Sequence, residues 1–299
     1  MKRILVPIGC RSDEGLSAPV IKRLREHFIT LPVDLAPQDF LTSYQLIDAI
    51  CKADPPDLIL ITGDRVEMCA AAAAAFHNKV KIAHFYAGVV NDPITTFDDV
   101  DRHVISLWAD ILFVESEDCK FHLAGFDGGY DMHPTGLFSV GCPGFFSLKG
   151  DNIHVVGISH LEDLEIDECK VPGEPYNLIL RNKPPLGDTT RELKDILMVL
   201  MEHQLKRKNI LIGGNPDGVI GVPEGFVYYP NLPRSQFLGL LKNCQRFITN
   251  SSAAIYEAPH FLKPEQIVMV GDRNKNRPKG PFQTGASDRI VEILREYLK

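Results

Sequence analysis

The chain lacks a long hydrophobic run, a paired cysteine motif and an excess of positive charge. Its seven cysteines are scattered and never spaced as CxxC, which argues against a zinc site or a disulfide framework and indicates free thiols. The apolar stretch in MKRILVPIGC is too short for a signal peptide or a membrane span, so we expect a cytoplasmic protein. The formal net charge of −7 argues against bulk attraction to nucleic acid or an anionic membrane.

The chain does contain a repeated alternation of strand-like and helix-like segments. Its 299 residues are enough for two domains. Short β-rich apolar runs predict strands at 3–8, 57–62, 81–85, 111–114, 177–181, 209–212, 226–229, 246–249 and 266–270. Helices are predicted at 66–77, 191–206, 234–243 and 287–297. This order is typical of βαβ units around a parallel sheet, so the fold class is α/β.

A glycine-, proline- and acid-rich stretch over residues 146–174 interrupts this rhythm and predicts a domain boundary. We expect a Rossmann-like domain over 1–150, a second Rossmann-like domain over 151–282 and a closing helix over 283–299. Ligands in such sheets bind at the carboxyl ends of the strands. The two domains are therefore expected to face each other across a cleft.

Two motifs follow strands in the first half. The motif GCRSDEG, at 9–15, is not the GxGxxG dinucleotide fingerprint. A glycine turn that leads into a helix still offers backbone N–H groups to an anion, and Arg11 adds a positive charge there. A plain turn with a surface arginine explains it equally well. GDRVE, at 63–67, places Asp64 and Arg65 at the mouth of a strand. A capping box on the next helix is the alternative interpretation.

A third motif, FDDVDRH at 97–103, combines acids with two basic groups. On a helix, Asp98 and Arg102 are four residues apart and lie on one face. Asp99 and His103 have the same spacing and lie beside that pair. Two carboxylates, a guanidinium and an imidazole would then share one side of the helix. The alternative is a solvated, charge-paired helix start.

In the second half, TNSSAAIYEAP at 249–259 follows a predicted strand. The hydroxyls of Ser251 and Ser252 and the nearby N–H groups suit a phosphate, and Glu257 could accept hydrogen bonds from ribose hydroxyls. A helix cap with a buried glutamate is the alternative.

Two further loops follow strands in the second half. GDRNKNRPKG, at 271–280, concentrates basic side chains, including Arg273, in an acidic chain and so suggests an anionic ligand. A solvated basic loop is the alternative. GGNPDGVI, at 213–220, contains Asn215, which is either a ligand contact or a turn-former.

Taken in order, these segments resemble the hydrolysing branch of the UDP-N-acetylglucosamine 2-epimerases. GCRSDEGLSAPVIKRL is similar to GTRxxxGLLxPLIKxI, GDRVEMCAAAAAA to GDRxExLAAAxAA, and FDDVDRHVISLWAD to IDDSIRHAITKLSH. TNSSAAIYEAP is similar to GNSSSGIxEAP, and VGDRNKNRPKG to IGDRQxGRxxG. The similarity spans most of the chain.

The resemblance implies a glycosyltransferase-B-like architecture, a homodimer and a UDP-linked amino sugar as ligand. UDP elimination would give a 2-acetamidoglucal and hydration would give N-acetylmannosamine, without a metal or another cofactor. Asp64, Asp98 and Asp99 would be the acid/base candidates, with Arg102 nearby. The implied nucleotide contacts are Arg11, Arg65, Asn215, Ser251, Ser252, Glu257 and Arg273.

The sequence departs from the family pattern at two places. HFYAGV stands where the family has HIEGGE, so Tyr86 and Val89 replace acids, and Lys183 is the nearest counterpart of a histidine that the family has beside a proline. Two alternatives to an epimerase therefore stay open. One is a non-catalytic homologue that binds a nucleotide-sugar, and the other is a glycosyltransferase on the same fold.

Overall fold

The computed structural model describes residues 1–35, 39–90, 97–124, 150–181, 196, 198–199, 208–213, 222–271, 274, 277 and 280–299. The chain divides into two compact units. The first comprises Met1–Glu162 and Pro281–Lys299, and the second comprises Asp163–Gly280. Each unit contains one parallel sheet with helices, which confirms the predicted α/β class.

The first sheet has six strands in the order β2-β1-β3-β4-β5-β6, and every pairing is parallel. The strands are β1 (Arg3–Ile8), β2 (Ile29–Asp34), β3 (Leu58–Thr62), β4 (Lys81–Ala87), β5 (Ile111–Val114) and β6 (Ile153–Val155). The helices are α1 (Arg11–Leu24), α2 (Phe40–Ala53), α3 (Val66–His77), α4 (Phe97–Trp108) and α5 (Glu117–Ala124).

The core of this unit is centred on β3, in which every residue is buried. Helix α3 packs on the sheet and on α2 and α4. Its alanines, which run from Ala70 to Ala75, are all buried. Alanine favours helix and adds little bulk, so this helix can lie close to the sheet.

The second sheet has five parallel strands in the order β11-β10-β7-β8-β9. The strands are β7 (Tyr176–Arg181), β8 (Lys208–Gly213), β9 (Phe226–Tyr229), β10 (Arg246–Thr249) and β11 (Ile267–Met269). The described helices are α6 (Arg234–Asn243), α7 (Ala253–Tyr256) and α8 (Ala258–Phe261). Most of the predicted helix 191–206 lies outside the described residues.

The chain then returns to the first unit, where α9 (Ala286–Tyr297) packs on α1. The returning segment is bonded to the residues after β6, since the Ile158 N–H donates to Gln283 O at 2.9 Å. Gly157, at φ +83°, fits against the same carbonyl, because a Cβ there would lie 2.1 Å from that oxygen. Within the described part of the chain, no helix has both the length and the apolar character needed to cross a membrane.

Candidate functional site

The carboxyl ends of parallel strands lie at one edge of a sheet, and in the first unit that edge is rich in polar groups. Gly9 follows β1, Gly63 follows β3, Tyr86 lies at the end of β4 and Glu115 follows β5. This edge is where ligands bind in open α/β sheets. Asp64 and Arg65, which come directly after Gly63, therefore begin the candidate site.

Arg102 is the centre of a buried acidic cluster at this edge. Its guanidinium forms an ion pair with the Asp64 carboxylate and lies 3.9 Å from Asp99 Oδ1. It also donates to Val89 O at 2.9 Å. Only 4% of Arg102 and 2% of Asp99 is exposed, so the ion pairs are largely shielded from water. Asp98, one residue earlier, is half-buried.

A buried histidine connects the two elements that carry this cluster. His84 Nε2 lies 2.8 Å from Gly63 O, and His84 Nδ1 lies 3.0 Å from Ser106 Oγ. The Ser106 hydroxyl is also 2.9 Å from Arg102 O. Burial lowers the pKa of His84 to about 4, so the ring is neutral at physiological pH.

Arg65 is paired within its own turn. Its Nε and one terminal nitrogen each lie 3.3 Å from a carboxylate oxygen of Glu67, which is buried. Helix α3 begins with Arg65 as its N-cap and has no side-chain cap bond. The capping-box interpretation of Asp64 and Glu67 is therefore wrong, because Glu67 binds a guanidinium instead of a backbone N–H.

Asp13 is a second buried acid beside these turns. Its Oδ2 accepts a hydrogen bond from the Gly9 N–H at 3.2 Å. Burial raises the pKa of Asp13 to about 6, and hydrogen bonding from Cys10 and the charge of Arg65 oppose that rise. Burial also raises the pKa of the Cys10 thiol to about 12, so this cysteine is not a thiolate nucleophile.

Tyr86 stands where the resemblance places an acid, and its backbone is unusual. Its φ is +66°, in the left-handed region, at an irregularity between β4 and β5. Its hydroxyl lies 2.8 Å from His160 Nδ1 and accepts the Ser159 N–H at 3.0 Å. A residue held in a strained conformation by buried hydrogen bonds is typical of functional sites.

In the second unit, the predicted phosphate loop lies at the carboxyl edge of β10. The Ser251 N–H donates to Thr249 Oγ1 at 2.9 Å, and Ser251 Oγ accepts the Ala253 N–H at 3.3 Å. Ser252 is the N-cap of α7. Because α7 has only four residues, a phosphate here would depend more on N–H and hydroxyl groups than on a helix dipole.

Glu257 forms an ion pair with Arg234 at 3.2 Å. Burial raises the pKa of Glu257, and the charge of Arg234 opposes that rise. Arg234 begins α6, is 23 residues from Glu257 in the sequence, and was not among the predicted site residues. The ion pair holds the carboxylate at the end of the hydroxyl-rich loop.

Several predicted contacts lie outside the described residues, namely the Arg11 side chain, Asn215, Arg273 and Lys183. The expected convergence of groups from both units on one pyrophosphate stays a prediction. Asp13 and His84 were also missed as site residues. Asp13 lies inside the GCRSDEG motif, whereas His84 carries no local signal beyond its place in a strand. Within the described ranges, no group of acids, cysteines and histidines could hold a metal ion.

Comparison with known proteins points to one family. A family model described as UDP-N-acetylglucosamine 2-epimerase matches residues 42–298. The chain is 24% identical over 361 positions to the UDP-N,N'-diacetylbacillosamine 2-epimerase (hydrolyzing) of Legionella pneumophila, covering 99% of this chain and 86% of that protein. It is 27% identical over 238 positions to the GDP/UDP-N,N'-diacetylbacillosamine 2-epimerase (hydrolyzing) of Campylobacter jejuni, covering 74% of this chain and 58% of that protein.

Two solved structures share the fold. The UDP-GlcNAc 2-epimerase from Neisseria meningitidis, bound to UDP-GlcNAc, matches with a TM-score of 0.73 at 16% identity, covering 98% of this chain and all 100% of that one. The UDP-GlcNAc 2-epimerase from Methanocaldococcus jannaschii, in complex with UDP-GlcNAc and UDP, matches with a TM-score of 0.74 at 17% identity, covering 99% and 100%.

Proposed function

Because the chain belongs to the UDP-N-acetylglucosamine 2-epimerase family, we propose that it is an enzyme that eliminates UDP from a UDP-linked 2-acetamido sugar and then hydrates the product. The observation that carries this proposal is the buried cluster of Asp64, Asp99 and Arg102 at the carboxyl edge of the first sheet. The relatives named above are hydrolysing 2-epimerases. N-Acetylmannosamine or a related 2-acetamido sugar is the proposed product.

The chemistry needs a base for the C2 proton and an acid that returns a proton to C2 as water adds to C1. The C2–H electrons form the C1–C2 double bond, and UDP leaves with the electrons of the C1–O bond. Water then adds its oxygen to C1, and C2 receives a proton. Asp64, Asp98 and Asp99 supply carboxylates in different surroundings, which is how one site provides both an acid and a base.

Arg102 keeps two of these carboxylates in place. Its guanidinium forms an ion pair with the Asp64 carboxylate and lies 3.9 Å from Asp99 Oδ1, so both side chains are held on one side of the arginine. The side chain of Asp64 is 20% exposed, whereas that of Asp99 is 3% exposed. The more accessible Asp64 is therefore the better placed of these two to reach a sugar.

The nucleotide is proposed to bind mainly in the second unit. Ser251 and Ser252 offer hydroxyl groups to phosphate, and the Glu257 carboxylate, held by Arg234, is suited to ribose hydroxyls. Further proposed nucleotide contacts are Arg11, Arg65, Asn215 and Arg273. We propose that the enzyme acts in the cytoplasm as a homodimer.

Tyr86 makes this enzyme chemically different from the pattern that it resembles. A phenol can donate a proton, but it is a far weaker base than a carboxylate at neutral pH. Loss of one acid/base group typically lowers the rate by about 10²–10⁴. We therefore expect slower turnover than in relatives that have an acid here.

The test is to incubate the protein with UDP-N-acetylglucosamine, and separately with UDP-N,N'-diacetylbacillosamine, and to follow UDP and free sugar. Release of both UDP and a free 2-acetamido sugar supports the proposal. UDP binding without turnover would replace it with the non-catalytic homologue, and turnover only with an added acceptor would replace it with a glycosyltransferase. Asp98→Asn should abolish turnover while UDP affinity is retained, and full activity of that variant would refute its catalytic assignment.

A further inference from the structure

His84 is a completely buried histidine in the interior of the first sheet, where its partners on the two neighbouring strands are Ile61 and Leu112. It lies on β4, between β3 and β5, and its exposed fraction is 0%. A buried imidazole without hydrogen-bond partners would be destabilising, and both nitrogens of His84 have partners. Those partners, Gly63 and Ser106, belong to the two elements that carry the acidic cluster.

The chemistry of these partners fixes the tautomer of His84. Gly63 O can only accept, so His84 Nε2 carries the hydrogen and donates it over 2.8 Å. In the neutral ring Nδ1 is then an acceptor, and the Ser106 hydroxyl, 3.0 Å away, is its donor. The same hydroxyl lies 2.9 Å from Arg102 O, one turn earlier in α4, and its single proton is shared between these two acceptors.

These bonds close a loop around the proposed catalytic pair. Gly63 is the residue before Asp64, and Ser106 is bonded to the backbone of Arg102. The Asp64 carboxylate and the Arg102 guanidinium meet in an ion pair, while the backbones of both elements are joined through His84 and Ser106. The direction of the Asp64 side chain therefore depends on a turn whose carbonyl is held by the imidazole.

We propose that His84 is a positioning residue that fixes the Gly63–Asp64 turn against α4 and so aims Asp64 at the sugar. This inference rests on the proposed function of the Asp64–Arg102 pair. His84 does not touch substrate in this arrangement and transfers no proton. Its contribution is alignment, and misplacement of a reacting group by about 1 Å can lower a rate by about 10²-fold.

Two amide replacements of His84 test its two hydrogen bonds one at a time. In His84→Gln the amide nitrogen can occupy the place of Nε2 and keep the donor to Gly63 O. In His84→Asn the amide occupies the place of Nδ1, so the contact with Ser106 is kept and the donor to Gly63 is lost. We expect His84→Asn to lower kcat by about ten- to hundredfold with KM nearly unchanged, and His84→Gln to restore much of that loss.

Ser106→Ala has a control in Tyr176→Phe, which removes a buried hydroxyl from the second unit. Both residues are 1% exposed, and the Tyr176 hydroxyl donates to Leu240 O at 2.6 Å. Both changes remove buried hydrogen bonding and should lower stability, but only Ser106 is bonded to the elements that carry Asp64 and Arg102. Ser106→Ala should therefore lower kcat, whereas Tyr176→Phe should leave kcat unchanged.

Hydrogen exchange can be measured whether or not the protein is active, so this experiment tests the inference separately from the proposed function. Amide hydrogen exchange in residues 63–66 and 97–108 should accelerate in His84→Asn and Ser106→Ala and stay unchanged in Tyr176→Phe. Absence of UDP release by the unaltered protein would overturn the proposed function, and the exchange measurement would still test the link between the Gly63–Asp64 turn and α4. Equal kcat in His84→Asn, His84→Gln and the unaltered protein, or unchanged exchange in both segments, would overturn the positioning role.

Discussion

Asp13→Asn should change how the stability of the first unit depends on pH. The pKa of Asp13 rises from 3.8 to about 6 in the folded protein because the carboxyl is buried. At 1.36 kcal/mol per pKa unit, this rise corresponds to about 3 kcal/mol. Since the folded pKa is above the unfolded one, this contribution is fully present below about pH 3.8 and is lost as pH rises through 6.

The asparagine keeps an oxygen that can accept the Gly9 N–H, and it cannot ionise. Its free energy of unfolding, minus that of the unaltered protein, should therefore increase by about 2.5 kcal/mol between pH 4 and pH 8, since the unfolded carboxyl is already partly ionised at pH 4. Titrating groups that do not interact with Asp13, such as His84, cancel in this difference. Urea unfolding followed by fluorescence of Trp108, the single tryptophan, reports on the first unit because this residue ends α4.

Glu14→Gln is the matched control, because Glu14 is the neighbouring acid on α1 and is exposed to water. It should show no comparable trend with pH. A difference between Asp13→Asn and the unaltered protein that stays constant from pH 4 to pH 8 would refute the argument. The buried charge of Asp13 would then be fully compensated by its neighbours.

Three further substitutions test other parts of the structure. Gly157→Ala places a methyl group against a backbone oxygen and should destabilise the protein by about 3 kcal/mol or more. Gly225→Ala, also at positive φ but in open space, should destabilise it by about 1 kcal/mol. Equal thermal unfolding midpoints of the two variants would contradict this reasoning. Arg102→Lys should lower kcat by at least about tenfold, because an ammonium group cannot contact Asp64, Asp99 and Val89 O at once as the planar guanidinium does. Unchanged steady-state kinetics would show that Arg102 has no part in catalysis. Arg234→Ala should weaken UDP binding, measured by calorimetry, because Glu257 loses the partner that holds its carboxylate in place. Unaltered UDP affinity would show that neither Arg234 nor Glu257 belongs to the nucleotide site.

The elements that could be predicted from sequence are those with a strong local pattern. β1 and α3 were predicted with the bounds that the structure shows, because one is a short apolar run and the other an alanine-rich helix. β2 was missed because it is a partly exposed edge strand with a proline at residue 32. β6 has only three residues and lies in the stretch interpreted as a boundary.

The site was predictable as a set of strand-end motifs, but its pairings were not. Helical spacing placed Asp98 beside Arg102, which stays a prediction, whereas the ion pair that the structure gives Arg102 is with Asp64, far away in the sequence. His84 illustrates the same limit. Periodicity places it in a strand, but its hydrogen bonds reach a turn and a helix 21 and 22 residues away. Such contacts are set by tertiary packing, which local spacing does not encode.

The return of α9 to the first unit has a consequence for biosynthesis. Ala286, Ile290 and Leu294 are completely buried on this helix, yet they are synthesised only after the whole of the second unit. During translation α1, with the apolar surface against which this helix packs, is therefore complete long before the helix exists. The nascent chain must carry that apolar surface uncovered while the whole of residues 163–280 is synthesised.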